Sequence, residues 1–137
     1  MSNRYVSVVL RKQVAERAKH RCEYCRAYEK YAFFTYHVEH IVSLKHGGLT
    51  ILVNLAYSCP VCNKNKGSDI ATFLDNYEIP IRFYNPRIDD WEIHFEIQPN
   101  GLILPKSKIG EATIKIFDFN HPDSMLEREI LLMNGMF

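Results

Sequence analysis

The sequence lacks any apolar run longer than a few residues, which excludes a membrane-spanning helix. Its opening, MSNRYVSVVLRKQ, has no long apolar stretch before a small-residue cleavage site, so no secretory signal is read there. No lipidation pattern, internal repeat, low-complexity tract or long linker is present. A net excess of charge is missing too: the formal balance over 137 residues is +1, which by itself points to no partner. Tryptophan occurs once, at Trp91, and a lone Trp in a chain of this size reads as a packing anchor. Without a leader, an intracellular, cytoplasmic setting is expected, and there thiols stay reduced.

Cysteine is scarce but placed with a pattern. The four cysteines form two close pairs, Cys22-x2-Cys25 and Cys59-x2-Cys62. Each pair offers two thiolates from one tight turn. Two such pairs meeting in space make a tetrahedral sulfur site for Zn²⁺, which outweighs buried free thiols or a redox pair. With four protein ligands no position stays open for a substrate, so this zinc is expected to be structural. The long gap between the pairs leaves room for something to be built between the two knuckles.

Composition is that of an ordinary soluble domain, 47% hydrophobic and 24% charged. The length fits one domain over 1–137 with a real core. Charge is distributed unevenly. Residues 1–66 carry 11 Lys/Arg against four acids, and residues 67–137 carry six against 12. A basic half around the metal site suits a polyanion such as nucleic acid, although a solvated lysine-rich helix face explains it as well.

Periodicity gives an α+β chain. Val6, Leu10, Val14 and Ala18 recur every fourth position, predicting an amphipathic helix over about 6–19 with Arg11, Lys12, Arg17 and Lys19 off its stripe. Phe34, Tyr36 and Val38 alternate with polar residues and predict a strand over about 33–39, ending at Glu39 and His40. Gly47-Gly48 marks a loop, and Leu52–Tyr57 reads as a second strand. Pro60 opens a helix that Gly67 stops. Beyond it, Ile93–Ile97 and Leu102–Leu104 read as a hairpin around Pro99-Asn100-Gly101. Ala112–Phe119 alternates like a strand. Ser124-x-x-Glu127 is a capping box for a last helix, with Leu126, Ile130 and Met133 on one face and Gly135 past its end.

The insert between the cysteine pairs holds the residues that can do chemistry. A neutral imidazole such as His40 has an unperturbed pKa of about 6.5 and can take a proton from water. Phosphodiester hydrolysis needs such a base, together with a cation at the phosphate. Glu39 and Asn63 offer a carboxylate and an amide oxygen, a hard donor set that suits Mg²⁺ or Mn²⁺ rather than a second zinc. Because neighbouring strand positions face opposite ways, the strand must end or twist for Glu39 and His40 to serve one site.

RCEYCR, VEHIVSLKHGG and VNLAYSCPVCNKNKG together resemble the HNH endonuclease family. YNPRIDDWEIHFEI and GEATIKIFDFN also resemble segments common in one bacterial subgroup of these proteins. The resemblance implies a ββα-metal core over about 20–68, clamped by a four-cysteine zinc site, with a strand-and-helix extension over about 80–135. It implies an H-N-N set: His40 as general base, Asn54 constraining the loop, and Asn63 with Glu39 holding the catalytic cation. It further implies hydrolysis of DNA and phosphate contacts by Lys64 and Lys66. The family ordinarily has Asp before the histidine, and Glu39 adds a methylene. That difference leaves three readings: a shifted cation, a slower enzyme, or a zinc-stabilised module that binds nucleic acid without cleaving it. A zinc-scaffolded protein-interaction domain is a weaker alternative, suggested by the acidic C-terminal half.

Other residues carry blander expectations. His37 is read as a strand-face residue, His46 as a loop residue and His94 as structural. Tyr24, Tyr28 and Tyr31 either stack on bases or pack the knuckle.

Overall fold

The computed structural model describes residues 5–137. The chain divides into two compact units, Met1–Ile70 and Ala71–Phe137.

In the first unit Ser7 caps helix α1 (Val8–Arg17), its hydroxyl accepting from the Leu10 N–H at 3.1 Å. Such a cap satisfies a donor that the first helical turn cannot pair internally. The predicted stripe is fully buried only at Val14, with Ala15 beside it, and Val8 and Val9 face outward. What fixes the helix in addition is Arg17. Its guanidinium donates to the carbonyls of Leu52 at 2.9 Å and Leu55 at 2.6 Å.

Strand β1 (His37–His40) pairs antiparallel with β2 (Leu55–Ser58), with His37 opposite Ser58 and His40 opposite Leu55. β1 is shorter than the sequence predicts, and Phe33 and Phe34 lie before it, exposed. Residues Leu52–Asn54 form a 3₁₀ turn, so the second strand starts later than predicted. Helix α2 (Pro60–Lys66) follows β2 directly. Pro60 stands in its first turn, the Cys59 sulfur accepts from the Cys62 N–H at 3.4 Å, and Gly67 ends it. The insert is therefore strand, loop, strand, helix, as expected, and the chain is α+β.

In the second unit a short pair, β3 (Ala71–Thr72) and β4 (Ile81–Arg82), precedes a helical turn α3 (Trp91–His94). The predicted hairpin is present as β5 (Phe95–Ile97) and β6 (Ile103–Pro105), turning through Gly101 at φ +86°. Ile93, expected in its first strand, belongs to α3 instead. The alternating stretch Ala112–Phe119 is not a strand. It lies largely in helix α4 (Lys108–Phe117), capped by the Ser107 hydroxyl, which accepts from the Gly110 N–H at 2.9 Å.

Helix α5 (Pro122–Met133) starts two residues before the capping box, with Pro122 in its first turn and His121 as the cap. Leu126, Ile130 and Met133 share its exposed face, and Arg128 and Leu131 point inward. The core is aromatic. The Phe95 ring lies 4.9 Å from Trp91, 5.4 Å from Tyr84 and 5.4 Å from Phe119 between centroids. Trp91 is buried, as its expected packing role requires, and His94 is buried with Nδ1 2.6 Å from the Ser107 hydroxyl. Buried Arg128 donates to the carbonyls of Gly101 at 2.6 Å and Phe119 at 2.8 Å.

Candidate active site

The two knuckles meet. One sulfur from each of Cys22, Cys25, Cys59 and Cys62 lies within 4.8 Å of every other, and all four side chains are buried. The Cys25 and Cys59 sulfurs are 3.8 Å apart. A tetrahedron with Zn–S bonds of about 2.3 Å has an edge of about 3.8 Å, so the donors fit zinc. Without a cation such a cluster is unfavourable. Burial pushes the Cys62 thiol up, hydrogen bonding with Cys22 and Cys25 pushes Cys59 up, and Cys25 is held down by its sulfur neighbours. A dication stabilises all four thiolates together.

The first knuckle is braced on β2. The Glu23 N–H donates to the Tyr57 carbonyl at 2.9 Å, and the Glu23 carboxylate accepts from the Tyr57 N–H at 3.0 Å. Glu29 accepts from the Tyr57 hydroxyl at 2.7 Å and the Tyr36 N–H at 2.8 Å. Tyr24 is fully buried within the knuckle, and its hydroxyl donates to Glu39. Packing, not base stacking, is thus what Tyr24 does.

Strand alternation decides how Glu39 and His40 sit. Glu39 is turned inward, 7% exposed, and His40 is half-exposed. Burial pushes the Glu39 carboxyl up to about 7, against the opposing pull of the Lys66 ammonium and the Tyr24 hydroxyl. One Glu39 oxygen is taken by Tyr24. No hydrogen bond holds the other among the described residues, and the same is true of the Asn63 side chain on half-buried α2. A carboxylate oxygen and an amide oxygen are hard donors of the kind that suit a divalent cation. The Lys66 charge nearby works against such an ion.

His40 stands at the end of β1, its Nε2 2.9 Å from the Thr50 hydroxyl. In the tautomer that carries its proton on Nε2, Thr50 accepts from the ring and the lone pair lies on Nδ1, where a neutral imidazole can take a proton. Partial burial and then the charge of Lys66 lower its pKa, which keeps the ring neutral. His40 lines an open cleft of about 560 Å³ together with Arg11, Val38, Leu44, Val6 and Tyr5.

Asn54 staples the loop between the strands. Its Oδ1 accepts from the Val42 N–H, and its Nδ2 donates to the carbonyls of Val42 and Leu49, each at 2.9 Å. The Asn54 carbonyl accepts from the Ile41 N–H at 2.8 Å. The loop is tight where it crosses Gly48, at which a Cβ would fall 1.8 Å from the Val42 carbonyl oxygen. Gly47 is different: it adopts φ +88° with open space where a Cβ would sit.

The lysines of α2 part company. Lys64 is exposed. Lys66 is only 2% exposed, and its ammonium donates to the carbonyls of His40 at 3.3 Å and Gly67 at 3.4 Å. The expected surface phosphate contact at Lys66 is therefore replaced by an internal tie to the strand of His40. His37 and His46 are exposed.

Sequence reasoning missed three residues: Thr50 on the His40 ring, Arg17 holding β2, and Arg11 in the cleft. A hydroxyl ten residues after the histidine, inside the glycine loop, was the available signal for Thr50. The two arginines were visible only as helix-face charge.

Residues 22–69 match the family model described as HNH endonuclease. No curated protein and no solved structure matches the chain.

Proposed function

Because the chain carries an HNH endonuclease domain over residues 22–69, a nuclease-type module with a four-cysteine metal site, we propose that it hydrolyses DNA phosphodiester bonds with His40 as general base. The observation that carries this reading is His40 itself: half-exposed in a cleft, kept neutral by its surroundings, with Nε2 engaged by Thr50. Nδ1 takes a proton from water as the water oxygen attacks phosphorus in line. The P–O3′ bond breaks, the 3′ oxygen takes a proton from solvent, and 5′-phosphate and 3′-hydroxyl ends result.

Glu39 and Asn63 would hold a Mg²⁺ or Mn²⁺ ion, which when bound neutralises charge on the phosphate. Asn54 keeps the loop that carries Thr50 in one conformation and so orients His40. Lys64, exposed on α2, is a phosphate contact that positions the duplex without reading its sequence. The zinc is scaffold.

The test is nicking of plasmid DNA with Mg²⁺ or Mn²⁺. His40→Ala is expected to lower the rate by about 10²-fold or more, the usual worth of a positioned general base. Equal rates in both proteins would remove His40 from the chemistry. One observation favours a second reading. Glu39 is buried against Tyr24 and close to Lys66, which suits a zinc-stabilised nucleic-acid-binding module without hydrolysis. Salt-sensitive binding with no cleavage by wild type would select it.

A further inference from the structure

Arg11 enters the His40 cleft from outside the strand–strand–helix unit. It lies on α1, before the first knuckle and before the segment that matches the family model. Its side chain is exposed and lines the same cleft as His40. Among the described residues no carboxylate pairs with it. Lys12 differs, approaching Glu16 at 4.0 Å. So does Arg17, whose guanidinium is used by the carbonyls of Leu52 and Leu55. Arg11 is thus the guanidinium of α1 that stands available beside the base.

The rest of the lining explains what such a charge is for. Val6, Val38 and Leu44 form apolar wall around Arg11 and His40. An apolar wall lowers the local dielectric and strengthens the attraction of a fixed cation for an anion. A planar guanidinium binds two oxygens of one phosphate at once, which fixes orientation as well as supplying charge.

We propose that Arg11 is a phosphate-binding residue that clamps a DNA backbone phosphodiester in the His40 cleft. The proposal rests on the nuclease reading of that cleft and adds to it a subsite supplied by α1. No covalent step is assigned to Arg11. It holds the strand while His40 handles the proton.

Two measurements test this, with the zinc-loaded full chain and a defined duplex. The first is duplex affinity by fluorescence anisotropy in EDTA-free buffer with Ca²⁺ across a salt series. Each phosphate contact contributes about 0.9 to the slope of log affinity against log salt. Arg11→Ala is expected to lower that slope by about 1 and to weaken binding about tenfold at low salt. Lys12→Ala, one residue away but not in the cleft, is the control and should leave the slope unchanged. The second is cleavage. Arg11→Ala should lower kcat/KM by about tenfold or more, and Arg11→Lys should recover part of it, since it keeps the charge and loses the fork. Zinc content and melting temperature check that each variant is folded, and Arg11→Gln replaces Arg11→Ala if the latter is not.

Equal losses from Arg11→Ala and Lys12→Ala would show bulk charge alone and overturn the subsite. So would an unchanged slope for Arg11→Ala with wild type binding normally. If wild type neither binds nor cuts the duplex, the nuclease reading falls and the subsite falls with it. If wild type cuts and only His40→Ala is impaired, the reading stands and the Arg11 proposal alone is lost.

Discussion

Tyr24 and Glu39 join the first cysteine knuckle to the strand that ends in His40, the phenol hydroxyl donating to the buried carboxylate. Tyr24→Phe keeps the ring and removes that donor. It leaves a buried carboxylate oxygen without its partner, at a cost of about 1–3 kcal/mol. A lower melting temperature with unchanged zinc content is the expected result, read by thermal denaturation and metal analysis. An unchanged melting temperature would mean that the contact adds nothing to the fold.

Zinc should be a condition of folding for the first unit. Apparent binding free energies of structural zinc run to about 10–16 kcal/mol, comparable with the whole stability of a small domain at about 5–15 kcal/mol. One zinc per chain is expected. Cys59→Ser, or a strong chelator, should remove it and abolish the cooperative transition of that unit in circular dichroism. If Cys59→Ser keeps its metal content and thermal stability, the clamp idea fails.

The pH dependence follows from His40, whose pKa is lowered by partial burial and by Lys66. A depressed folded value means that protonation is disfavoured in the native state. The neutral base then persists below the ordinary value of about 6.5, so at saturating Mg²⁺, where the bound cation keeps Glu39 ionised, the acid limb of kcat/KM should lie below that pH. The associated stability is fully present above about 6.5 and is lost as pH falls toward the folded value. Thr50→Val should lower kcat by about tenfold, the net worth of one hydrogen bond near 1.4 kcal/mol, and Thr50→Ser should retain it. A pH–rate series on the three proteins checks both points.

In the second unit Arg128 offers a test of the core. Its guanidinium is buried on the carbonyls of Gly101 and Phe119. Arg128→Met fills similar space but leaves both carbonyls unpaired, at about 1–3 kcal/mol each. Urea unfolding should show a loss of at least about 2 kcal/mol, and a smaller change would mean that water replaces the donor at little cost.

The site was legible where chemistry imposes spacing. Two CxxC pairs located the four-cysteine cluster, and Pro60 and Gly67 bounded α2. The strand ending at His40 was readable from alternation, although its start was not. Phe33 and Phe34 continue the pattern but have no partner strand among the described residues, because β2 is only as long as Leu55–Ser58. The alternation of Ile114 and Ile116 suggested a strand at 112–119, and those β-branched residues do favour one. Helix won because Ile109, Ala112, Thr113 and Phe117 also lie three and four apart, and because Ser107 caps the start. The inward turn of Lys66 was not legible. A lysine on a helix ordinarily keeps its charge in water, and the three-dimensional positions of the His40 carbonyl and the buried Glu39 carboxylate draw this one in.

The two glycines of the His46-Gly47-Gly48 sequence are constrained in unlike ways. Gly47 needs a backbone of the opposite hand and has empty space around it. A mirror-image alanine installed there by chemical synthesis meets that need, and it narrows the unfolded ensemble as well. Gly48 has no such substitute among L residues, because the obstacle is the Val42 carbonyl, which Asn54 holds in place. Handedness governs one position and bulk the other, so the loop beside His40 can be stiffened at Gly47 without touching the contact that shapes it at Gly48.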